Sequence, residues 1–282
     1  MNLADIKTVE SLLRSKGFSF KKSLGQNFLI DDSVCPSMAE SFCDENSGVI
    51  EIGPGMGVLT AELAKRAKKV VSIELDERLK EILPITLGEF SNVEIIYGDA
   101  MKIDIGQIIR EKFSDCESVS ICANLPYYIT SPIIMMLLEQ KLPVKFITVM
   151  VQKEAAERLC AKVGSREAGA VTVAVDYYSK ANILFGVGRN SFHPAPNVDS
   201  AVIQLEIRDN PPIEVKDEGF FFKFVKACFA QRRKTLVNTV SNTMGISKDT
   251  LRTALTKVGL SETARSEQLT MEQLAAIANT IC

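Results

Sequence analysis

The sequence predicts an α/β fold: a mostly parallel sheet with helices on both faces, followed by a small all-α C-terminal domain. Three observations carry that prediction. Short apolar runs at 49–52, 70–73, 93–97 and 118–123 are bounded by polar residues and show no alternation, as expected of strands buried on both faces. Helical patterns separate them, and the polar residues Glu51, Glu74, Asp99 and Asn124 recur at intervals of 23, 25 and 25 residues, the pitch of repeated βα units. After Asn210-Pro211-Pro212 the patterns are helical only, so the sheet stops there.

In chain order, residues 4–16 read as an amphipathic helix closed by Gly17. The segment 21–29 has no clean period. Its amides Gln26 and Asn27, beside Phe28 and Leu29, suit a clamp over a ligand and equally a loop between two helices. Asp31-Asp32-Ser33 offers an N-cap for a helix reaching Phe42. The strand at 49–52 runs into Gly53-Pro54-Gly55-Met56-Gly57 and then a helix over 58–67; glycines there permit a tight turn and let a ligand approach the backbone. Their spacing is GxGxG, so the dinucleotide fingerprint GxGxxG is not met.

Beyond the fourth strand come a helix over 131–140 with Pro132 in its first turn, a strand at 146–151, and helices over 152–163 and 169–178. Residues 181–187 and 201–207 form a closing β pair around 191–200, where Pro194 and Pro196 keep the loop irregular. Four helices, over 219–230, 232–244, 248–258 and 270–280, complete the chain. The expected division is an N-terminal helix and covering segment (1–30), the sheet domain (31–209) and a basic helical domain (210–282).

Composition removes several classes of chemistry. A chain of 282 residues, 46% hydrophobic and 24% charged, supports a sizeable core. No run approaches the roughly 18 apolar residues of a membrane span, and the first fourteen residues, which include Asp5 and Glu10, lack an apolar signal core, so the expected location is the cytoplasm. Seven cysteines, odd in number and without a CxxC pair, read as reduced thiols and not as a metal site. His193 is the only histidine, which excludes histidine triads and multi-histidine metal centres. The net charge of −2 is uneven: residues 219–282 hold nine Lys or Arg against four Asp or Glu, a local +5. A polyanionic partner accounts for that tail and for its sharpest cluster, Gln231-Arg232-Arg233-Lys234-Thr235; a solvated helical surface accounts for it too.

If the first four strands are ordered 3-2-1-4, their polar ends line one rim, although each acid taken alone also reads as a helix cap. The rim has no Walker Lys-Ser/Thr pair, and its acids repel a pyrophosphate. It suits an adenosine with a positive appendage, as in S-adenosylmethionine, better than a nicotinamide dinucleotide. At the end of the fourth strand stands Asn124-Leu125-Pro126-Tyr127. The Asn124 amide oxygen can accept from an amino group, Pro126 fixes the backbone so that the preceding carbonyl can accept again, and Tyr127 offers a flat face for a base. An ordinary strand-to-helix turn uses the same residue types. Phe192 is a second wall for that slot or a plain core residue, and His193 a loop hydrogen-bonder.

As a set, KKSLGQNFL (21–29), EIGPGMG (51–57), IELD (73–76), Gly98-Asp99-Ala100, NLPY (124–127), SFHPAPNVDS (191–200) and QRRKTLVN (231–238) closely resemble the ribosomal RNA adenine dimethyltransferases, in the family's order and over most of the chain. The resemblance implies a Rossmann-like class I methyltransferase domain using S-adenosylmethionine. It implies that Gln26, Asn27 and Leu29 close over the cofactor and that Gly53 and Gly55 pass beside its methionine part. Glu74, with Leu75, would hold the ribose, and Asp99, with Ala100, the adenine amine. Asn124 would lie between cofactor and target, with Leu125, Pro126, Tyr127 and Phe192 completing the catalytic set. Arg232, Arg233 and Lys234 would bind RNA. The implied substrate is the small ribosomal subunit, dimethylated on two adjacent adenosines of the 3'-terminal hairpin of its 16S rRNA in ribosome biogenesis, with a monomer as the default state. Methylation of large-subunit RNA to confer antibiotic resistance, a binding role in ribosome assembly, and DNA adenine methylation are the alternatives.

Overall fold

The computed structural model describes residues 6–15, 28–124, 126–231 and 233–282. First come α1 (Ile6–Ser15), the two-residue strand β1 (Phe28–Leu29) and α2 (Val34–Glu40). Four βα repeats follow: β2 (Ser47–Ile52) with α3 (Val58–Ala64), β3 (Lys69–Glu74) with α4 (Leu83–Leu87), β4 (Val93–Tyr97) with α5 (Ile105–Lys112), and β5 (Ser118–Asn124) with α6 (Thr130–Glu139). After them stand β6 (Phe146–Gln152), α7 (Lys153–Leu159), α8 (Ala170–Tyr178), β7 (Ser179–Val187), β8 (Phe192–His193) and β9 (Ser200–Ile207). The last helices are α9 (Glu218–Cys228), α10 (Leu236–Met244), α11 (Lys248–Lys257) and α12 (Met271–Ile281).

Seven strands make one sheet in the order β4-β3-β2-β5-β6-β9-β7, parallel from β4 to β6 and antiparallel where β9 joins β6. The 3-2-1-4 order that a shared rim requires of the first four repeats is therefore the order that forms. Its cause is visible in the burial. All six residues of β2 are buried, as a central strand covered on both faces requires, whereas all five of β4 are only half-buried at the sheet edge. One core cluster joins Met38 and Ala39 of α2 to Leu63 of α3, Val49, Val70 and Met150 of the sheet, and Leu29 and Phe192 of the small strands. A second gathers Met56, Leu79, Ile82, Leu83 and Leu87. Met38 and Leu63 are wholly buried, so truncating either to Ala costs about 2–5 kcal/mol.

The chain divides into two compact units, residues 1–156 with 182–207, and residues 157–181 with 208–282. This differs from the expected single span of 31–209, and the reason lies in α8. Its Tyr177 and Tyr178 pack on Phe222 of α9, with ring centroids 5.1 and 5.3 Å away. Their hydroxyls donate to the two oxygens of Glu218, at 3.3 and 2.7 Å. Residues 157–181 thus serve the helical unit although they precede the last two long strands. Helix α10 also starts later than its sequence pattern suggests, because the Thr235 hydroxyl accepts from the Asn238 amide and caps it.

Candidate active site

Parallel pairing brings the carboxyl ends of β2, β3, β4 and β5 to one edge of the sheet, and the turns beyond them line a cavity of about 350 Å³. The turn after β2 needs its glycines. Gly53 and Gly57 have φ of 73° and 85°, a left-handed conformation that side chains disfavour. A Cβ on Gly57 would also come within 2.9 Å of the Leu87 side chain, while one on Gly53 would meet nothing within 4 Å. Gly53 thus leaves its α-carbon open to a ligand.

Glu74 ends β3 and is fixed by main-chain donors: Asp76 N to Oε1 at 2.6 Å and Gly55 N to Oε2 at 3.2 Å. Burial pushes its pKa up, and those N–H groups pull against it. Asp99 lies two residues past β4; its Oδ1 accepts from Met101 N at 3.0 Å, and exposed Lys102 stands 3.5 Å from Oδ2. Glu51 lines the same cavity but is drawn inward. It sits one residue inside the end of β2, is 1% exposed, and its Oε2 accepts hydroxyls from Thr60 at 2.6 Å and Ser72 at 2.7 Å. Burial pushes its pKa up to about 7, against the pull of those hydroxyls.

Asn124 is the last residue of β5 and lines the same cavity. The Pro126 carbonyl accepts from Ile129 N at 3.1 Å and from the Thr130 hydroxyl at 3.4 Å, so residues 127–129 form a single tight turn leading into α6. Opposite pieces of chain close the site by pairing β1 with β8, Leu29 facing Phe192. Both are 4% exposed, both belong to the core cluster and both line the cavity, so Phe192 is at once core residue and wall. The Ser191 hydroxyl donates to Asp31 Oδ2 at 2.8 Å and locks that pairing. Asp31 Oδ1 takes the amide and hydroxyl of Ser33, which itself makes no side-chain cap, contrary to the expected N-cap. These donors, chiefly the Ser33 hydroxyl, hold the Asp31 carboxyl below its ordinary range.

The cavity therefore unites Leu29, Gly53, Gly55, Glu74, Leu75, Asp99, Ala100, Asn124, Pro126 and Phe192. Gln26, Asn27, Leu125, Arg232 and the Tyr127 side chain lie outside the described residues. Arg233 and Lys234 are exposed on the helical unit, just before α10. Sequence reasoning missed Tyr128 and four methionines, Met38, Met56, Met101 and Met150, which also line the cavity. A methionine, whether in a helix, a strand or a turn, carries no positional signal; its pliant thioether adapts a wall to its ligand. Tyr128 was legible only as the neighbour of Tyr127.

Three acids and no Lys, Arg or His line the described cavity, beside a glycine backbone left open at Gly53. That donor set fits a nucleoside carrying positive charge and does not fit a pyrophosphate. Fold and site together define a class I methyltransferase. The chain belongs to the ribosomal RNA adenine dimethylase family, whose model matches residues 17–282. It is 48% identical over 284 residues to the ribosomal RNA small subunit methyltransferase A of Bacillus mycoides (strain KBAB4), covering 99% of this chain and 97% of that protein. To the protein of the same name from Geobacillus sp. (strain WCH70) it is 47% identical over 274 residues, covering 96% and 94%. Among solved structures, a dimethyladenosine transferase from Plasmodium falciparum superposes with a TM-score of 0.74 at 27% identity, covering 89% of this chain and 95% of that one. The 23S rRNA methyltransferase ErmE superposes with a TM-score of 0.68 at 26% identity, covering 90% and 99%. The protein is an S-adenosylmethionine-dependent ribosomal RNA adenine dimethyltransferase. Among the described residues no helix is long and apolar enough to cross a membrane.

Proposed function

We propose that this enzyme dimethylates the exocyclic amino groups of two adjacent adenosines in the 3'-terminal hairpin of small-subunit (16S) rRNA, as a cytoplasmic monomer acting in ribosome biogenesis. The choice of subunit rests on likeness: identity is 47–48% to relatives named for the small subunit, against 26% to a 23S enzyme. The observation that carries the chemistry is that Asn124, at the end of β5, lines the cavity shared by Glu74 and Asp99, at the ends of β3 and β4. A nucleoside on the acid side and an amine acceptor on the other side of the glycine turn put two ligands in one space.

When bound, S-adenosylmethionine supplies a methyl group already activated by a positively charged sulfur. The protein therefore needs alignment more than a strong base, and a site without histidine suffices. With the cofactor bound, Glu74 would accept from its ribose hydroxyls and Asp99 from its adenine amine, and the backbone at Gly53 and Gly55 would pass beside its methionine part. Leu29, Leu75 and Ala100 line the cavity and would cover and flank the nucleoside, and the family resemblance assigns Gln26 and Asn27 to the same cover. The Asn124 side chain accepts one N–H of the target amine, and the sequence assigns the second acceptor to the carbonyl of Leu125. Holding both N–H groups draws the nitrogen toward tetrahedral geometry and frees its lone pair. Each methylated nitrogen is first cationic and releases one N–H proton to solvent, so after one transfer a single N–H remains to be held; after two there is none, and the product loses its grip on Asn124. The sequence assigns Tyr127 to stack on the target base, which leaves its RNA stack to enter, and Phe192 supplies a wall of the cavity. Arg232, Arg233 and Lys234 bind phosphates, which position the RNA without reading its sequence.

The test is Asn124→Ala. Methylation of unmodified small subunits is expected to fall by about 100-fold or more, with affinity for S-adenosylhomocysteine within a few fold of the parent. Near-normal turnover would refute the role given to Asn124.

A further inference from the structure

Seven large hydrophobic residues are exposed among the described residues, and three of them, Leu75, Met101 and Tyr128, line the cavity described above. Scattered exposed apolar side chains are ordinary, but a concentration at the mouth of a site marks a surface that a ligand covers. The three fall into two groups. Leu75 directly follows β3, and Met101 lies just past Asp99 beyond β4, so both flank the acids. Tyr128 follows β5, which lies across β2 from those strands. At about 4.8 Å per strand, β5 is roughly 10 Å from β3 and 14 Å from β4. Tyr128 thus stands on the side of Asn124 and away from the side that suits the nucleoside of the cofactor.

The backbone that carries it is anchored. The Pro126 carbonyl is held by Ile129 N and by the Thr130 hydroxyl, and Thr130 is 3% exposed, so the turn is anchored from below. Tyr128 is the middle residue of that turn and is 61% exposed. An exposed aromatic ring carried on an anchored turn at a cavity mouth is a stacking platform for an arriving base.

Taking the small-subunit reading above as its basis, we propose that Tyr128 stacks on the nucleotide next to the adenosine drawn into the cavity. Withdrawing one adenosine from a stack strips its neighbour of a partner, and a flat ring at the entrance restores the lost contact. Because two adjacent adenosines are modified, the nucleotide on Tyr128 is itself a target in one of the two rounds. Tyr128 is then an RNA-positioning residue that acts outside the transfer step.

The experiment uses the full-length chain with Tyr128→Ala and Tyr128→Phe, and small ribosomal subunits that lack the modification. S-adenosylhomocysteine affinity is measured in parallel and doubles as a check on folding. Tyr128→Ala is expected to raise KM for subunits about tenfold with cofactor affinity unchanged, and Tyr128→Phe, which keeps the ring, to behave as the parent. An unchanged KM in Tyr128→Ala overturns the inference and leaves the small-subunit reading intact. Equal loss of cofactor affinity in Tyr128→Ala also overturns it, since the ring would then belong to the cofactor's wall. If the parent does not methylate small subunits at all, the small-subunit reading fails first and this inference falls with it.

Discussion

The main-chain N–H of Gly55 donates to Oε2 of Glu74 across 3.2 Å, joining the turn after β2 to the end of β3. The same carboxylate accepts from Asp76 N at 2.6 Å, so one side chain ties down two loops of the cavity while remaining part of its wall. A carboxylate held this way is pre-aimed, and a ligand that takes its remaining acceptor capacity need not wait for it to reorient.

Glu74→Ala removes both the tie and the acceptor. Affinity for S-adenosylhomocysteine, measured by calorimetry, is expected to fall by about 10- to 100-fold, in keeping with loss of a hydrogen bond to a charged group. Glu74→Gln keeps one acceptor oxygen and is expected to lie between Ala and the parent. Parental affinity in both variants would remove Glu74 from the cofactor site.

Glu51 gives the molecule a pH dependence of definite sign. Burial raises its pKa from an ordinary 4.5 to about 7, so between those values the folded protein keeps a proton that the unfolded chain has released. The stability from this group is present in full below pH 4.5 and is lost as pH rises through 7. Glu51→Gln cannot ionise, and relative to the parent it is expected to gain stability from pH 5 to pH 8, by on the order of 2 kcal/mol in thermal or denaturant melts. A cationic ligand favours the ionised carboxylate, so affinity for S-adenosylmethionine is expected to rise from pH 6 to pH 8 in the parent and less in the variant. Parallel pH profiles of the two proteins would show that Glu51 does not titrate in this range.

Arg233 and Lys234 test the RNA surface apart from the chemistry. Both are exposed, and replacing both with Ala is expected to weaken subunit binding while leaving cofactor affinity alone. If each neutralises one phosphate, the slope of log affinity against log salt is expected to shrink by up to about 2. An unchanged slope would assign these charges to a solvated surface.

The sheet was legible because its strands carry their own signal. The apolar run at 49–52 belongs to a strand buried along its whole length, and a strand covered on both faces must be central. Glu74, Asp99 and Asn124 were legible for the same reason, since each stands at or just past a strand end in a repeat of even pitch. Glu51 was legible as a cavity acid too, but register by count does not tell that its carboxyl is drawn inward by Thr60 and Ser72. The pairing of Leu29 with Phe192 had no signal at all, because two-residue strands show no period. The grouping of α8 with the helical unit rests on Tyr178 meeting Glu218, forty residues on, a contact that no local pattern encodes.

The central claim is tested most directly by incubating the protein with methyl-labelled S-adenosylmethionine and small ribosomal subunits that lack the modification, with large subunits and DNA alongside. Label recovered as dimethyladenosine in small-subunit RNA alone is the expected result. Label in large-subunit RNA or DNA instead, or in none of the three while cofactor binding is intact, would contradict the account.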